Sequence, residues 1–250
     1  STYLLIIIQV GHNTKAVALG YFPFVFASLN YIFKNKSIWP TIVLSLLMGL
    51  QIRANHYQIS YYMFILIGMF LGFKLFECIK NKKLIFFRLK ILKIVFSVFI
   101  ALGLNASSLF STFEYSKYST RGKSDLTIDE NGRFLAATDG LSYEYITQFS
   151  MGIFESLNII IPRINGGSST ENLGLDSNFY KSLRNIGLSP SQSASFSSNV
   201  PTYWGEQPIL EAPPYVGITV VFLSFFTIFI PSVRKKYIWI YLGMVLSILL

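Results

Sequence analysis

The sequence has few charged residues, and acidic ones are almost absent from its first 113 positions. Only 13% of the 250 residues are charged, while 52% are hydrophobic, and Glu77 is the single carboxylate before residue 114. So apolar a chain cannot cover a soluble globule with polar side chains, which excludes that class and predicts a protein that sits in lipid. One cysteine, Cys78, also excludes an internal disulfide.

The motifs of common soluble enzymes are missing as well. The sequence contains no metal-ligand spacing, nucleophile elbow, P-loop or dinucleotide fingerprint. We therefore predict no cofactor; the sequence leaves room for a divalent cation without showing a ligand set for it. The net charge of +9 does not indicate a nucleic-acid partner, because the basic residues cluster in short links between apolar stretches.

Seven apolar stretches predict transmembrane helices, and the first and last are cut short by the ends of the chain. We expect an all-α polytopic integral membrane protein with about six to seven such helices, and, since the chain begins inside an apolar run, a piece of a longer protein. The predicted division is residues 1–113 as membrane helices with short loops, 114–215 as a segment of mixed structure outside the membrane, and 216–250 as further membrane helices. The apolar stretches are 3–10, 16–33, 38–52, 57–76, 94–113, 216–230 and 237–250.

The links between these stretches alternate in charge and so predict an orientation. Residues 34–36, 80–93 and 234–236 are basic, whereas 114–215 holds eleven of the twelve carboxylates and only seven Lys and Arg. By the positive-inside rule the basic links face the cytoplasm and segment 114–215 is extracytoplasmic. We predict a multi-pass protein of the bacterial cytoplasmic membrane.

Within the extracytoplasmic segment, apolar residues recur at helical spacing from Ile146 to Ile161. They predict an amphipathic helix near 145–161, either along the membrane interface or in the core of a small outer domain. Gly166 to Ser169 predict a mobile turn.

Polar residues at the outer ends of the spans are the candidates for binding. If one helix continued past residue 52, Gln51, Asn55, Gln58 and Tyr62 would form one polar stripe; the alternative is a tight hairpin with Arg53 reaching toward water. His12 and Lys15 stand where a helix start could accept an anion, or could serve only as capping and solvated residues. Glu155 and Glu206 are among several acids that could act as a base, and none is singled out.

Five motifs in this order resemble the YfhO-type bacterial membrane proteins, in their Bacteroidetes-like form. The motifs are GHNTK (11–15), QIRANHYQISYY (51–62), YITQFS (145–150), IPRINGGSS (161–169) and PTYWGEQP (201–208), the last followed by PYVG (214–217). That family is similar to the GT-C superfamily of glycosyltransferases, which take a sugar from a polyprenyl-phosphate donor on the outer leaflet.

The resemblance implies glycosyl transfer to an envelope glycan or lipid acceptor, with membrane lipids as further partners. It implies donor-phosphate or sugar contacts for nine residues, of which Trp204 would stack on a sugar ring. The usual GT-C carboxylate lies on a first outer loop that this chain lacks, so no catalytic residue is assigned. A transporter or flippase of a lipid-linked substrate and a non-catalytic membrane anchor stay as alternatives. The nine residues are His12, Lys15, Arg53, Asn55, His56, Gln58, Arg121, Arg163 and Trp204.

Overall fold

A computed structural model describes residues 2–119 and 141–249 of the chain. Within these ranges the regular structure is helical, apart from one antiparallel bridge between Glu171 and Val200. The all-α character of the predicted fold is therefore confirmed for these ranges. The helices are α1 (Thr2–Gln9), α2 (Asn13–Lys34), α3 (Trp39–Arg53), α4 (Tyr57–Lys80), α5 (Leu84–Leu104), α6 (Ala106–Ser116), α7 (Tyr143–Thr147), α8 (Asn178–Asn185), α9 (Pro190–Ser197), α10 (Ile218–Ile228) and α11 (Pro231–Leu249).

The chain divides into two compact units. The helix unit comprises Gly11–Tyr145 and Trp239–Gly243, and the loop unit comprises Ser1–Val10, Ile146–Ile238 and Met244–Leu250. This division follows packing. The predicted division into 1–113, 114–215 and 216–250 follows the sides of a membrane and stays a prediction.

In the helix unit, α3 packs against both α2 and α5, and α4 completes the core. The buried apolar residues recur three, four or seven positions apart on each helix, so each helix turns a single stripe inward. The Trp239 ring of α11 packs against α2 and α4. It stacks on Phe26, with ring centroids 5.9 Å apart, and meets Phe70 edge to face, with centroids 5.3 Å apart. The core residues are Val25, Leu29, Ile32, Leu44, Met48, Met63, Ile67, Phe70, Ile94 and Ala101.

Four polar side chains on one face of α5 attach that helix to its neighbours. We call Lys90, Lys93, Ser97 and Asn105 the α5 ladder, because each donates a hydrogen bond to a backbone carbonyl of the α2–α3 link or of α3. The spacing of three, four and eight residues keeps them on one face. In chain order the acceptors are Asn35 (2.5 Å), Lys36 and Ser37 (2.8 and 2.7 Å), Thr41 (2.9 Å) and Gly49 (3.0 Å).

The last residue of the ladder also interrupts the helix. The predicted span 94–113 is wrong in its bounds, because the helix begins at Leu84 and breaks at Asn105. The Asn105 amide N–H donates to the Leu102 carbonyl, three residues back. Its side chain, in place of the backbone amide, donates to the Ala101 carbonyl at 2.9 Å. An asparagine side chain that replaces the backbone donor in this way ends regular helix.

Apolar helices indicate a membrane-associated protein. Among the described residues, α2 and α4 are long and apolar enough to cross a membrane, and the pair α10 and α11, bent by 116°, would add a third if it forms one span. Large apolar residues face outward while small polar ones are inside: Phe99 is 73% exposed and Ser97 is fully buried. Helix packing in lipid favours such small and polar interiors. The count of six to seven spans stays a prediction.

The loop unit is tied together by backbone pairs between distant positions. The Thr2 amide donates to the Tyr215 carbonyl at 2.8 Å, and the Val216 amide to the Ile159 carbonyl at 3.2 Å. Two of its helices begin at serine caps, Ser177 for α8 and Ser189 for α9. Such caps satisfy amide groups that have no partner within the helix.

The continuous amphipathic helix predicted near 145–161 is not formed. Helix α7 ends at Thr147, and only a 3-10 turn, Glu155–Ile159, follows. The backbone between them bonds to side chains instead: Gln207 donates to the Phe149 carbonyl at 2.8 Å, and Glu155 accepts from the Gly152 amide at 3.3 Å. Glu155 and Asn158 are 2% and 1% exposed while Ile153 is 71% exposed, so these two polar residues point inward, whereas Gln148 is exposed.

We expect Asn105→Ala to lower the free energy of unfolding by about 1–2 kcal/mol, because the Gly49 and Ala101 carbonyls would lose a buried donor. Unfolding of the purified protein by denaturant in mixed micelles would measure the change. Ser107→Ala, at an exposed position two residues further on, is the control and should change stability by less than about 0.5 kcal/mol. Equal losses for both variants would contradict this role of Asn105.

Candidate functional site

Six of the predicted binding residues belong to the helix unit. We call this set the cationic corner; it lies at the start of α2 and in the turn between α3 and α4. Helix α3 ends at Arg53 and α4 begins at Tyr57, so the polar stripe that required one continuous helix is wrong, and the chain turns between the two helices as the hairpin alternative requires. The cationic corner consists of His12, Lys15, Arg53, Asn55, His56 and Gln58.

The turn is built by Asn55 and His56. Asn55 has a φ of 55°, the left-handed conformation that asparagine tolerates better than most residues. His56 caps α4, because its Nδ1 atom accepts a hydrogen bond from the Ile59 amide at 3.4 Å. In neutral His56 the proton therefore lies on Nε2, which leaves a donor on the far side of the ring.

A buried polar chain supports this turn from inside. Gln51 is fully buried and donates to the Ser60 hydroxyl at 3.3 Å, and Ser60 donates to the His56 carbonyl at 3.4 Å. The Oε1 atom of Gln51 has no hydrogen-bond partner among the described residues. Gln58, by contrast, is exposed and donates to the Tyr62 hydroxyl at 3.4 Å.

Positive charge collects around His56. Partial burial lowers the pKa of His56 below its usual value of 6.5, and the nearby charges of Lys15 and His12 lower it further. The structure therefore brings the charges of His12 and Lys15 close enough to affect the protonation of His56, which links two turns that the sequence analysis treated as separate candidates. An anion bound there would reverse the effect and raise the pKa of His56.

The other two described candidates, Arg163 and Trp204, belong to the loop unit. There Gly166 and Gly167 of one motif lie against residues 202–204 (TYW) of another. Gly166 has a φ of +85°, and a Cβ atom on it would overlap the Thr202 carbonyl. The turn predicted to be mobile is instead held by hydrogen bonds: the Ser168 carbonyl accepts from the Thr202 and Tyr203 amides, both at 3.0 Å.

Arg163 is engaged in an ion pair. Its Nη2 atom lies 2.7 Å from Glu171 Oε2, which also accepts from the Thr202 hydroxyl. The Arg163 hydrogen bond, then that of Thr202, holds the pKa of Glu171 below its usual value. A Cβ atom on Gly167 would collide with this group, so the glycine makes room for the pair.

A second carboxylate is bound by the next residue of the chain, Tyr203. The phenol of Tyr203 donates to Glu155, which is buried and pairs with no cation in the described ranges. Burial and the Glu155 hydrogen bond raise the pKa of Tyr203 to about 12, so the phenol keeps its proton. Exposed Glu206 approaches the same place, since a Cβ atom on Gly152 would lie 2.8 Å from the Glu206 carboxyl carbon.

Trp204 completes this surface. Its amide donates to the Asn165 carbonyl at 3.1 Å, which fixes the backbone, while its side chain is 64% exposed. The ring edge lies against Gly166, because a Cβ atom on that residue would be 3.1 Å from Trp204 Cδ1. An exposed indole on a fixed backbone, next to carboxylates, is suited to stacking on a ring-shaped ligand.

The sequence analysis therefore identified some residues of each site and assigned no role to others that contact them. Glu155 and Glu206 had been grouped with other acids, and Glu171 and Tyr203 had no assigned role. The signal for them lies in the PTYWGE motif, where consecutive side chains serve different contacts. Arg121 lies outside the described residues.

Comparison with known proteins adds no family. The chain matches no family model, no curated protein and no solved structure. In the described ranges, no group of three or more His, Cys, Asp or Glu side chains could hold a metal ion. The candidate sites therefore depend on their own geometry: a cationic corner in the helix unit and a carboxylate cluster in the loop unit, formed by Glu155, Arg163, Glu171, Tyr203 and Glu206.

We expect Gly166→Ala to destabilise the loop unit by about 3–5 kcal/mol, combining left-handed strain with overlap on the Thr202 carbonyl. Gly174→Ala is a matched control: its φ is +75°, but no atom lies within 4 Å of the added methyl group. It should cost about 1–2 kcal/mol, from strain alone. Limited proteolysis of residues 146–215 would compare the two variants, and similar resistance would show that the Gly166 contact is unimportant.

The loop unit should also lose stability in acid. The folded pKa of Glu171 lies below its usual 4.5, so its contribution is present above that pH and is lost as the pH falls through the folded value. We expect Glu171→Gln to flatten the decline of thermal stability below pH 4.5. Asp176→Asn, which removes an exposed carboxylate of the same unit, should leave the decline unchanged. A decline that stays as steep in Glu171→Gln would refute the assignment.

Proposed function

We propose that this protein is a membrane glycosyltransferase, similar in kind to the GT-C superfamily. It would transfer a sugar from a polyprenyl-phosphate donor to an acceptor of the bacterial cell envelope, on the outer face of the cytoplasmic membrane. The proposal extends the resemblance in five ordered motifs, and the carboxylate cluster of the loop unit is the observation that carries it.

That cluster separates its acids by environment. Glu171 forms an ion pair with Arg163. Glu155 instead accepts hydrogen bonds from the neutral phenol of Tyr203 and from the Gly152 amide. Glu206 is the exposed carboxylate beside them, and the exposed indole of Trp204 lies on the same short segment. A carboxylate next to an aromatic platform suits a site that holds a sugar hydroxyl and removes its proton.

We assign Glu206 as the general base. It would take the proton of an acceptor hydroxyl as that oxygen attacks the anomeric carbon of the donor sugar. The bond from the anomeric carbon to the phosphate oxygen breaks, and the polyprenyl phosphate leaves with the electron pair. Glu155 and Tyr203 would position this segment and do not themselves exchange protons.

The cationic corner of the helix unit supports binding of a phosphate on its own evidence. Fixed cations stabilise the charge of a phosphate best where water is scarce. Lys15, Arg53 and His56 provide two permanent charges and one titratable group at the ends of three apolar helices. We propose that the corner binds the donor phosphate, and that Asn55 and Gln58 contact its neighbouring polar groups.

The exposed apolar side chains of segment 146–161 support placing the loop unit on a lipid surface. Ile146, Phe149, Ile153 and Phe154 are each at least 58% exposed. Ile159 pairs with Val216, two residues before the apolar helix α10 begins. Apolar side chains at the level of a membrane boundary bury themselves among headgroups and upper acyl chains.

The test is sugar transfer by the purified full-length protein. Radiolabelled polyprenyl-phosphate sugars would be incubated with it and a membrane extract, and label entering polymer or lipid counted. We expect Glu206→Gln to lower transfer by about 100-fold or more, because a general base contributes about that much. Glu211→Gln, an exposed acid five residues away, should leave transfer unchanged.

Arg53→Ala and His56→Ala should lower transfer without changing membrane insertion. Donor binding should raise the pKa of His56, which NMR titration of the imidazole would detect independently of turnover. Absence of transfer with every donor would reject the enzyme assignment. Substrate flux in vesicles without sugar transfer would then favour a transporter or flippase.

A further inference from the structure

Three lysines converge at the link between α2 and α3. Lys36 lies in the link, while Lys90 and Lys93 extend to it from the first turns of α5. Lys90 donates to the Asn35 carbonyl at 2.5 Å, and Lys93 donates to the Lys36 and Ser37 carbonyls at 2.8 and 2.7 Å. Two ammonium groups are thus held at three consecutive backbone carbonyls. Lys90 is only 4% exposed.

The surrounding chain supplies almost no negative charge. Residues 1–113 contain eleven Lys and Arg and one carboxylate, Glu77, which lies 2.7 Å from Lys74. The elements packed around the three lysines, α2, α3 and α5, have no Asp or Glu in their sequences. The C-terminus of α2 offers about half a negative charge, which is too little for three cations. A buried ammonium is costly unless its charge is compensated.

The donor geometry indicates what would compensate it. Each ammonium has three N–H donors; the bonds above use one on Lys90 and two on Lys93. Lys90 is almost fully buried and also lies over the Phe86 ring, 5.0 Å from its centroid, so the donors open to a ligand are the third of half-buried Lys93 and those of exposed Lys36. Lysine binds phosphate as a point charge. We propose that Lys36 and Lys93, with the buried charge of Lys90 beside them, form a binding site for a phosphate group.

The flanking residues favour a phosphate carried by a lipid. Ile38 and Trp39 follow the link and are 54% and 66% exposed, and Leu89 and Leu92 flank Lys90 at 57% and 64%. These side chains offer an apolar surface for acyl chains directly beside the lysines. Basic sites between membrane helices bind anionic headgroups in this manner. The proposal does not depend on the glycosyltransferase assignment or on the cationic corner.

The experiment compares retention of phosphatidylglycerol and phosphatidylcholine with identical acyl chains by the full chain, using native mass spectrometry. We expect preferential retention of phosphatidylglycerol, and a decrease of about fivefold in its affinity for Lys36→Gln and for Lys93→Gln. Lys80→Gln removes an exposed charge from the end of α4 and is the matched control, with less than about a twofold effect. Lys36→Gln is decisive, because the Lys36 side chain is exposed and forms no hydrogen bond or ion pair with the residues that the structure describes.

A second arm titrates inorganic phosphate and follows thermal stability. Stabilisation that Lys36→Gln abolishes, without any preference between the lipids, would assign the same site to a soluble phosphate. A headgroup preference that Lys36→Gln abolishes would assign it to a lipid. Equal retention of both lipids with no effect of phosphate would overturn the proposal, as would equal losses in Lys36→Gln and Lys80→Gln.

Discussion

The helix unit depends on hydrogen bonds from α5 to backbone carbonyls of its neighbours. The α5 ladder holds the link before α3, the first turn of α3 and, through Asn105, the carbonyl of Gly49. Gly49 is four residues from Arg53, so the last of these bonds fixes the end of α3 about one helical turn from the cationic corner. The position of that corner therefore depends on a polar contact in the interior. In an apolar environment, where water cannot replace a lost partner, such a contact is difficult to exchange.

The loop unit has little regular structure, so its side chains must be positioned by other means. Gly166 and Gly167 allow the backbone near residue 202 to approach more closely than any side chain would permit. Thr202, Tyr203 and Trp204 then point to an ion pair, a buried acid and the surface in turn. One short irregular segment thus places Glu171 and Glu155 in different environments. Different environments are how a protein gives similar acids different reactivity.

The sequence predicted the helices well and their interruptions poorly. Apolar runs locate α2, α3 and α4 to within a few residues, because hydrophobic content is a property of the helix itself. The break at Asn105 depends on a carbonyl 56 positions away at Gly49, which no local pattern records. Segment 145–161 shows the opposite error: its apolar period is real, but Gln207 and Glu155 bond to its backbone, and Glu155 and Asn158 are buried while Ile153 is exposed.

The candidate sites were predictable to a similar extent. The sequence analysis gave His12 and Lys15 in one turn and His56 in another as separate candidates, and the structure brings the charges of the first two near the third. The contacts of Arg163 and Glu171 depend on the space left at Gly167, and those of Glu155 and Tyr203 on the space left at Gly205. A glycine in a sequence reveals that room is needed without revealing what fills it.

The α5 ladder imposes an unequal evolutionary constraint on the two sides of its contacts. Its acceptors at Asn35, Lys36 and Ser37 are main-chain oxygens, which every amino acid carries. Substitutions at these three positions leave the acceptors in place, so a change on one side of the contact demands no matching change on the other. Selection for the contact therefore falls on Lys90 and Lys93 alone, and sequence covariation would leave this part of the interface undetected.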